Sequence, residues 1–252
     1  YTGPARTIDR GFTIAGANSG IAVTNALTIA GQVVGEAGNL QKTGDGDLTF
    51  TFDGLNDFGT QSQGLRIAEG NVIFNGSGNQ VNAIPGELWM AHTEGNSAGL
   101  MLSNTTLNVD SWIAIGRGNG SGASTTLGAS DSTITSANFS TGFNAGLAEN
   151  DSTQDVTLDG TTEWTNGGNT FVAESAASMT TFTLEDSAHY TSNGTTHMGA
   201  DGSAVLNIGD NATYTANFWF TLGRYGNGSG VANVTGGLLE QTDVERLMLV
   251  GE

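Results

Sequence analysis

One short apolar run that empties into a polar, glycine-rich loop occurs twice in nearly the same letters. Trp112-Ile113-Ala114-Ile115-Gly116-Arg117-Gly118-Asn119-Gly120-Ser121-Gly122 returns as Trp219-Phe220-Thr221-Leu222-Gly223-Arg224-Tyr225-Gly226-Asn227-Gly228-Ser229-Gly230, with one residue inserted. A looser copy, Trp89-Met90-Ala91-His92-Thr93-Glu94-Gly95, precedes both. A strand followed by a tight turn has this composition, because glycine and asparagine accept the positive φ that turns need. Repetition at this scale restricts the chain to a solenoid, in which each unit buries its apolar side only against its neighbours.

The remaining coils can be laid over this frame. A central strand recurs at Leu107, Ile134, Trp164, Tyr190, Tyr214 and Leu239, at intervals of 27, 30, 26, 24 and 25 residues. Ahead of it lies an apolar-x-apolar strand, seen in Leu100-Met101-Leu102, Val156-Thr157-Leu158, Phe182-Thr183-Leu184 and Leu206-Asn207-Ile208. The Trp112 or Trp219 element follows as a third strand. The expectation is an all-β, right-handed parallel β-helix of about ten rungs of about 26 residues, continuous over 1–252, with strands of three to six residues. Within it, residues 11–84 are expected to form a first portion with a repeat of its own and 86–252 the regular coils, with a kink at Ile84-Pro85-Gly86.

Composition agrees. There are 39 Gly, 2 Pro and no Cys, and charged residues make up 13%, about half the usual ~25%. No stretch has the three-and-four spacing of an amphipathic helix. The net charge of −18 repels phosphates and anionic lipid, so neither nucleic acid nor a membrane surface is an expected partner. No run is long and apolar enough to span a membrane as a helix.

Within the first portion, Gly38, Leu40, Lys42, Gly44, Gly46, Leu48, Phe50 and Gly54 fall in the register G-x-L-x-K-x-G-x-G-x-L-x-F-x-x-x-G. A Gly-punctuated second half closes with Leu65-Arg66-Ile67-Ala68-Glu69-Gly70-Asn71-Val72-Ile73-Phe74-Asn75. This stretch resembles the autotransporter-associated β-strand repeat over roughly residues 11–75, although Asn56-Asp57-Phe58-Gly59 replaces the usual link between the halves. The resemblance implies a secreted or surface-displayed parallel β-helix and brings no catalytic residue with it.

Several constellations bear on function. Thr135, Thr165, Thr191 and Thr215, flanked by Asn108 and Glu240, form one outward row; Thr106, Thr133, Glu163, His189, Thr213 and Leu238 form a second. Parallel Thr rows suit an ice-binding face, but Thr also simply favours exposed strand positions, and Glu163 and His189 interrupt the second row. Asp131, Asp159, Asp186 and Asp210 read as an acidic turn column that could bridge a cation such as Ca²⁺; turn capping by Asp explains it equally. Gly44-Asp45-Gly46-Asp47 belongs to the repeat. The glycines after Ile115 precede no helix that could hold phosphate. His92, His189 and His197 have no second ligand at metal spacing. No catalytic, cofactor or metal site is therefore expected.

The reading is a non-catalytic extracellular spacer, fibre segment or adhesive stalk. The rivals are a carbohydrate-binding or carbohydrate-cleaving β-helix and, behind it, the ice-binding face. Aligning the Trp elements predicts ion pairs of Glu94 with Arg117 and Arg224 with Glu252. The final residues overlay the start of the repeated element, Val250-Gly251-Glu252 on Ile115-Gly116-Arg117. A solenoid edge of that kind is expected to be covered, either by further chain or by another copy stacked end to end; extracellular polysaccharide is the other expected partner.

Overall fold

The computed structural model describes residues 1–36, 38–59, 64–91, 96–117, 123–143, 152–246 and 248–251. Among these there is no helix, and every ladder between strands is parallel. Three faces wind about one core. The first is a ten-stranded sheet running from Arg6–Ile8 through Leu27–Ile29, Leu48–Phe50 and Gly70–Asn75 to Ser203–Gly209 and Ser229–Thr235. The second carries Val81–Ile84, Glu163–Asn166, His189–Ser192, Thr213–Ala216 and Leu238–Gln241. The third carries Leu40–Thr43, Leu65–Ile67, Leu88–Met90, Thr170–Val172, Thr196–Met198, Phe220–Leu222 and Met248–Val250.

The two longest strands far exceed the expected three to six residues. Thr106–Ile115 and Thr133–Thr141 run through the corner between the second and third faces, with a register irregularity between Val109 and Trp112. Seven-residue strands such as Ser203–Gly209 also occur on the first face.

The solenoid makes about seven turns of roughly 26 residues, so ten rungs of that size overstates the count. From the strand at Gly70 onward the step is of that length, as where Val156 faces Phe182. Before it the coils are shorter: Leu27 faces Leu48 and Leu48 faces Val72. The bend at Pro85-Gly86 joins two strands of one coil.

The core follows the expected parity. Leu107, Ile134, Trp164, Tyr190 and Tyr214 stand opposite one another in register and are buried. Trp164 and Tyr190 lie 5.2 Å apart between ring centroids, and Tyr190 and Tyr214 4.9 Å, within the range for attractive aromatic pairs. Their polar tips are matched by corner hydroxyls: Trp164 Nε1 donates to Ser136 Oγ at 2.9 Å, and Tyr190 Oη lies 2.7 Å from Thr170 Oγ1. Burial raises both Tyr190 and Tyr214 well above the usual phenol range.

Toward the N-terminus the same inward column turns polar. Asn56 and Asn82 occupy it, Asn82 facing Leu107 in register. Asn56 Nδ2 donates to Asn82 Oδ1 at 3.1 Å, and Asn82 Nδ2 to Thr105 Oγ1 at 3.0 Å, which satisfies the buried amides.

The G-x-L-x-K register acquires physical reasons. Leu40 and Lys42 both point inward. Lys42 Nζ donates to the carbonyls of Gly44 and Glu69, the latter at 2.8 Å. Desolvation lowers the Lys42 pKa, while Asp47, Glu69 and Asp45 act against that loss. A Cβ at Gly38 would stand 2.0 Å from the Gly16 carbonyl oxygen, and Gly44 has φ +79°. Phe58, within the departure from the repeat, fills the core against Phe50 at 5.3 Å and Phe74 at 5.4 Å.

Candidate functional site

The third face has an outward column through the middle of its strands: Gln41, Arg66, Trp89, Ala114, Ser140, Phe171, His197 and Thr221. Large side chains occupy most of it, but Ala114 and Ser140 are small. Both are covered, Ala114 completely, and Ser140 lines a cleft on this face.

The walls come from the corner that follows each strand. There the chain passes through a left-handed residue, Gly116 (φ 66°), Gly142 (φ 66°) and Ala173 (φ 54°) in successive coils. The next side chains are Arg117, Phe143 and Glu174. Ala173 holds this conformation despite its Cβ, at a cost of about 1–2 kcal/mol, and its N–H donates to Thr141 Oγ1 at 2.8 Å.

The result is a cleft of about 200 Å³ lined by Glu87, Trp112, Arg117, Ser140, Phe143 and Glu174. Arg117 stands at its centre. Its guanidinium lies 3.5 Å from Glu87 Oε2, 4.4 Å from the Trp89 ring centroid and 5.3 Å from that of Phe143. Trp89 Nε1 donates to the same Glu87 oxygen. Trp112 leans along the face toward Phe171, with centroids 6.2 Å apart. Beyond the cleft the aromatic surface continues, Phe171 stacking on His197 at 5.4 Å and 9°. Glu174 is the unusual group: desolvation raises its pKa to about 7, against the Ser140 hydrogen bond and the Arg117 charge. The cleft thus joins aromatic walls, a paired guanidinium and a carboxyl that holds its proton near neutrality.

The sites considered from sequence fall elsewhere. Both outward rows beside the central strand exist in the expected register, Asn108 through Thr135, Thr165, Thr191 and Thr215 to Glu240. Polar bonds tie their members together: Thr135 Oγ1 donates to Asn108 Oδ1 at 2.8 Å, Thr215 Oγ1 to Glu240 Oε1 at 2.9 Å, and His189 Nε2 lies 3.1 Å from Thr215 Oγ1.

The acidic column needs correction at Asp159. Asp159 pairs with Ser130, so it precedes the turn position, which Gly160 takes. The left-handed column is Asn104, Asp131, Gly160, Asp186, Asp210 and Gly236. Asp131 Oδ1 accepts the Thr161 N–H at 3.0 Å, and Asp186 Oδ2 the Gly160 N–H at 3.2 Å. These carboxylates cap the turn of a neighbouring coil. Asp47 Oδ1 similarly accepts from Asn71 Nδ2 at 2.8 Å. Among the described residues no three His, Asp or Glu side chains gather as metal ligands would.

The early Trp copy also needs correction. Trp89 pairs with Ala114, and Met90 with Ile115, so the copy lies two residues off the expected alignment. Arg117 accordingly meets Glu87. Glu94, Glu252 and His92 lie outside the described residues, as do residues 118–122 of the repeated loop. Trp112 and Trp219 are equivalent as expected, each preceding the inward residue of its strand, and Leu222 pairs with Val250 with Gly251 at the next left-handed corner (φ 69°).

A 51-residue part of the chain, 19% of it, is 57% identical to a protein named adhesin BmaC autotransporter from Brucella suis biovar 1 (strain 1330). The match takes in 2% of that adhesin's length. No family model matches, and no solved structure matches. The chain is a parallel β-solenoid that shares a short stretch with an autotransporter adhesin.

Proposed function

We propose that this chain is a segment of a surface-displayed or secreted passenger with an adhesive or structural, non-catalytic role, and that it winds in the right-handed sense nearly all parallel crossovers take. The stretch shared with an autotransporter adhesin carries this reading. The repeat register around Lys42, which resembles the autotransporter-associated repeat, supports the same reading. Parallel pairing along three faces makes a stiff rod, and its outward columns offer contact surfaces on every coil. On this reading a second copy can associate with the edge built by Ser229–Thr235, Leu238–Gln241 and Met248–Val250. There Val231, Val234, Leu238, Met248 and Val250 are exposed, an apolar strip suited to another coil.

The carbohydrate-cleaving rival would use Glu87 and Glu174 as its pair of carboxyl groups. Glu87 is instead engaged by both Arg117 and Trp89 Nε1. Beads coated with the chain should be retained on animal-cell or polysaccharide-coated surfaces above beads carrying an unrelated solenoid. Equal retention would count against adhesion, and new reducing ends released from the polysaccharides would overturn the non-catalytic reading.

A further inference from the structure

We propose that the cleft on the third face binds one neutral pyranose residue of a saccharide chain, an aliphatic C–H face of the sugar resting on the Trp112 ring and its vicinal hydroxyls meeting Arg117, Glu174 and Ser140. The inference deepens the adhesive reading and rests on it.

Size comes first. At about 200 Å³ the cleft is smaller than the ~300–1,000 Å³ usual for drug-sized ligands, and suits a single six-membered ring. Its lining is divided. Trp112 and Phe143 supply flat apolar walls, while Arg117, Glu174 and Ser140 supply donors and acceptors side by side. A pyranose has the same division, with C–H groups on its faces and hydroxyls round its edge.

Charge excludes the other small ligands. An anion would gain Arg117 only by competing with Glu87, already the partner of that guanidinium. A cation would be placed against Arg117 at the centre of the site. A neutral polyhydroxyl ring needs neither charge to be displaced. The floor is also unlike the rest of its column: only at Ala114 and Ser140 do two adjacent small residues interrupt the large side chains from Arg66 to His197. Ser140 lines the cleft at this interruption while Ala114 is wholly covered, and aromatic side chains stand beside it.

Saturation-transfer NMR on the 252-residue chain tests this, with the methyl pyranosides of glucose, galactose, mannose and N-acetylglucosamine at millimolar concentration. Methyl glucuronide and glucosamine serve as anionic and cationic probes. At least one neutral pyranoside should receive saturation on its ring protons and bind more tightly than either charged probe. Trp112→Ala should weaken it about tenfold or more, as expected for a central aromatic contact. Trp219→Ala removes the equivalent residue further along the rod, beside Arg246, and should leave binding unchanged. Arg117→Gln, which leaves every inward residue in place, should weaken binding as well and serves if Trp112→Ala alters the circular dichroism. Absence of saturation on all neutral probes, preference for a charged one, or unaltered binding by both cleft variants would overturn the inference. A chain that binds no sugar yet retains cells defeats this inference and leaves adhesion standing. One that binds sugar and retains nothing defeats the adhesive reading.

Discussion

Replacing Trp164 should reveal how the rod distributes its stability. The side chain is 1% exposed, packed on Phe139 at 4.6 Å and Tyr190 at 5.2 Å, with Nε1 donating to Ser136. An aromatic residue of this kind buries about 150–250 Å², worth about 4–6 kcal/mol at ~25 cal/mol per Å². Alanine retains its own Cβ, and the surrounding rings close only part of the cavity, so Trp164→Ala should cost about 3–5 kcal/mol. Trp164→Phe keeps a ring in the stack and loses the hydrogen bond, about 1 kcal/mol, plus a further ~1 kcal/mol for the smaller ring. Ser136 Oγ still donates to Asn166 Oδ1 at 3.0 Å, which limits that loss. Trp112→Ala, at a half-exposed position, should cost less than about 1 kcal/mol.

The assay is hydrogen exchange by mass spectrometry in moderate denaturant, read coil by coil. A solenoid's stability is a sum of local and nearest-neighbour terms. Protection should therefore fall most in Thr133–Thr141 and His189–Ser192, which flank Glu163–Asn166, and little in Leu27–Ile29. Loss spread evenly along the chain would refute the nearest-neighbour reasoning. A cost for Trp164→Ala no greater than for Trp112→Ala would refute the inward parity of the column.

Two further predictions use the same purified chain. The Glu174 carboxyl titrates near 7 in the fold against an ordinary value of 4.5, so the folded state binds its proton more tightly than the unfolded state. Stability should accordingly fall as pH rises between those values, by up to about 3 kcal/mol, and Glu174→Gln should remove that slope from urea midpoints taken at pH 5 and pH 8; an unchanged slope would sink the assignment. Gly199 has φ +75° and leaves 2.1 Å between a built Cβ and the Ser229 carbonyl oxygen, whereas Gly226 has nothing within 4 Å. Gly199→Ala should lose more than about 1–2 kcal/mol and Gly226→Ala stay within about 0.5 kcal/mol, with equal urea midpoints for the two variants as the contrary result.

Much of the register was legible because inward positions repeat chemically. Leu107 to Tyr214 are large and apolar at a nearly constant step, and a slip of one residue would turn that entire column outward. The repeated Trp112 and Trp219 elements aligned for the same reason. Trp89 and Ala91 misalign the early copy because they match the conspicuous Trp112 and Ala114 in type though not in register. The informative letters were Leu88 and Met90, an apolar-x-apolar pair ending at Ala91, just as Ile113 and Ile115 end at Gly116. Asp159 misled likewise: Asp beside Gly is a turn pattern in either register, and only pairing with Ser130 shows that Gly160 holds the left-handed position. Turns of roughly 26 residues number about seven because the early coils are shorter, Leu27 already facing Leu48, and do not belong to that class. Asn56 and Asn82 in the core carried no apolar signal at all.

The cleft was illegible for a different reason, and that reason bears on where function sits in a solenoid. Its residues come from four coils, and each is ordinary in its own: a Glu before an apolar strand, a Trp within a strand, an Arg or Phe after a turn glycine. What makes them a site is a vertical neighbourhood, which exists only once the register is known. The repeat positions obey one rule, that each coil must fit the next, and so they specify the rod. At Ala114 and Ser140 the outward column departs from its run of large side chains, while the inward positions beside them, Ile113, Ile115, Phe139 and Thr141, stay buried. At Ala173 a residue with a Cβ occupies a corner that glycine fills without strain in the two preceding coils, and the next side chain is the half-buried Glu174. Local departures that the fold does not require, gathered on one patch, are the pattern expected where a repeat has been modified to hold something.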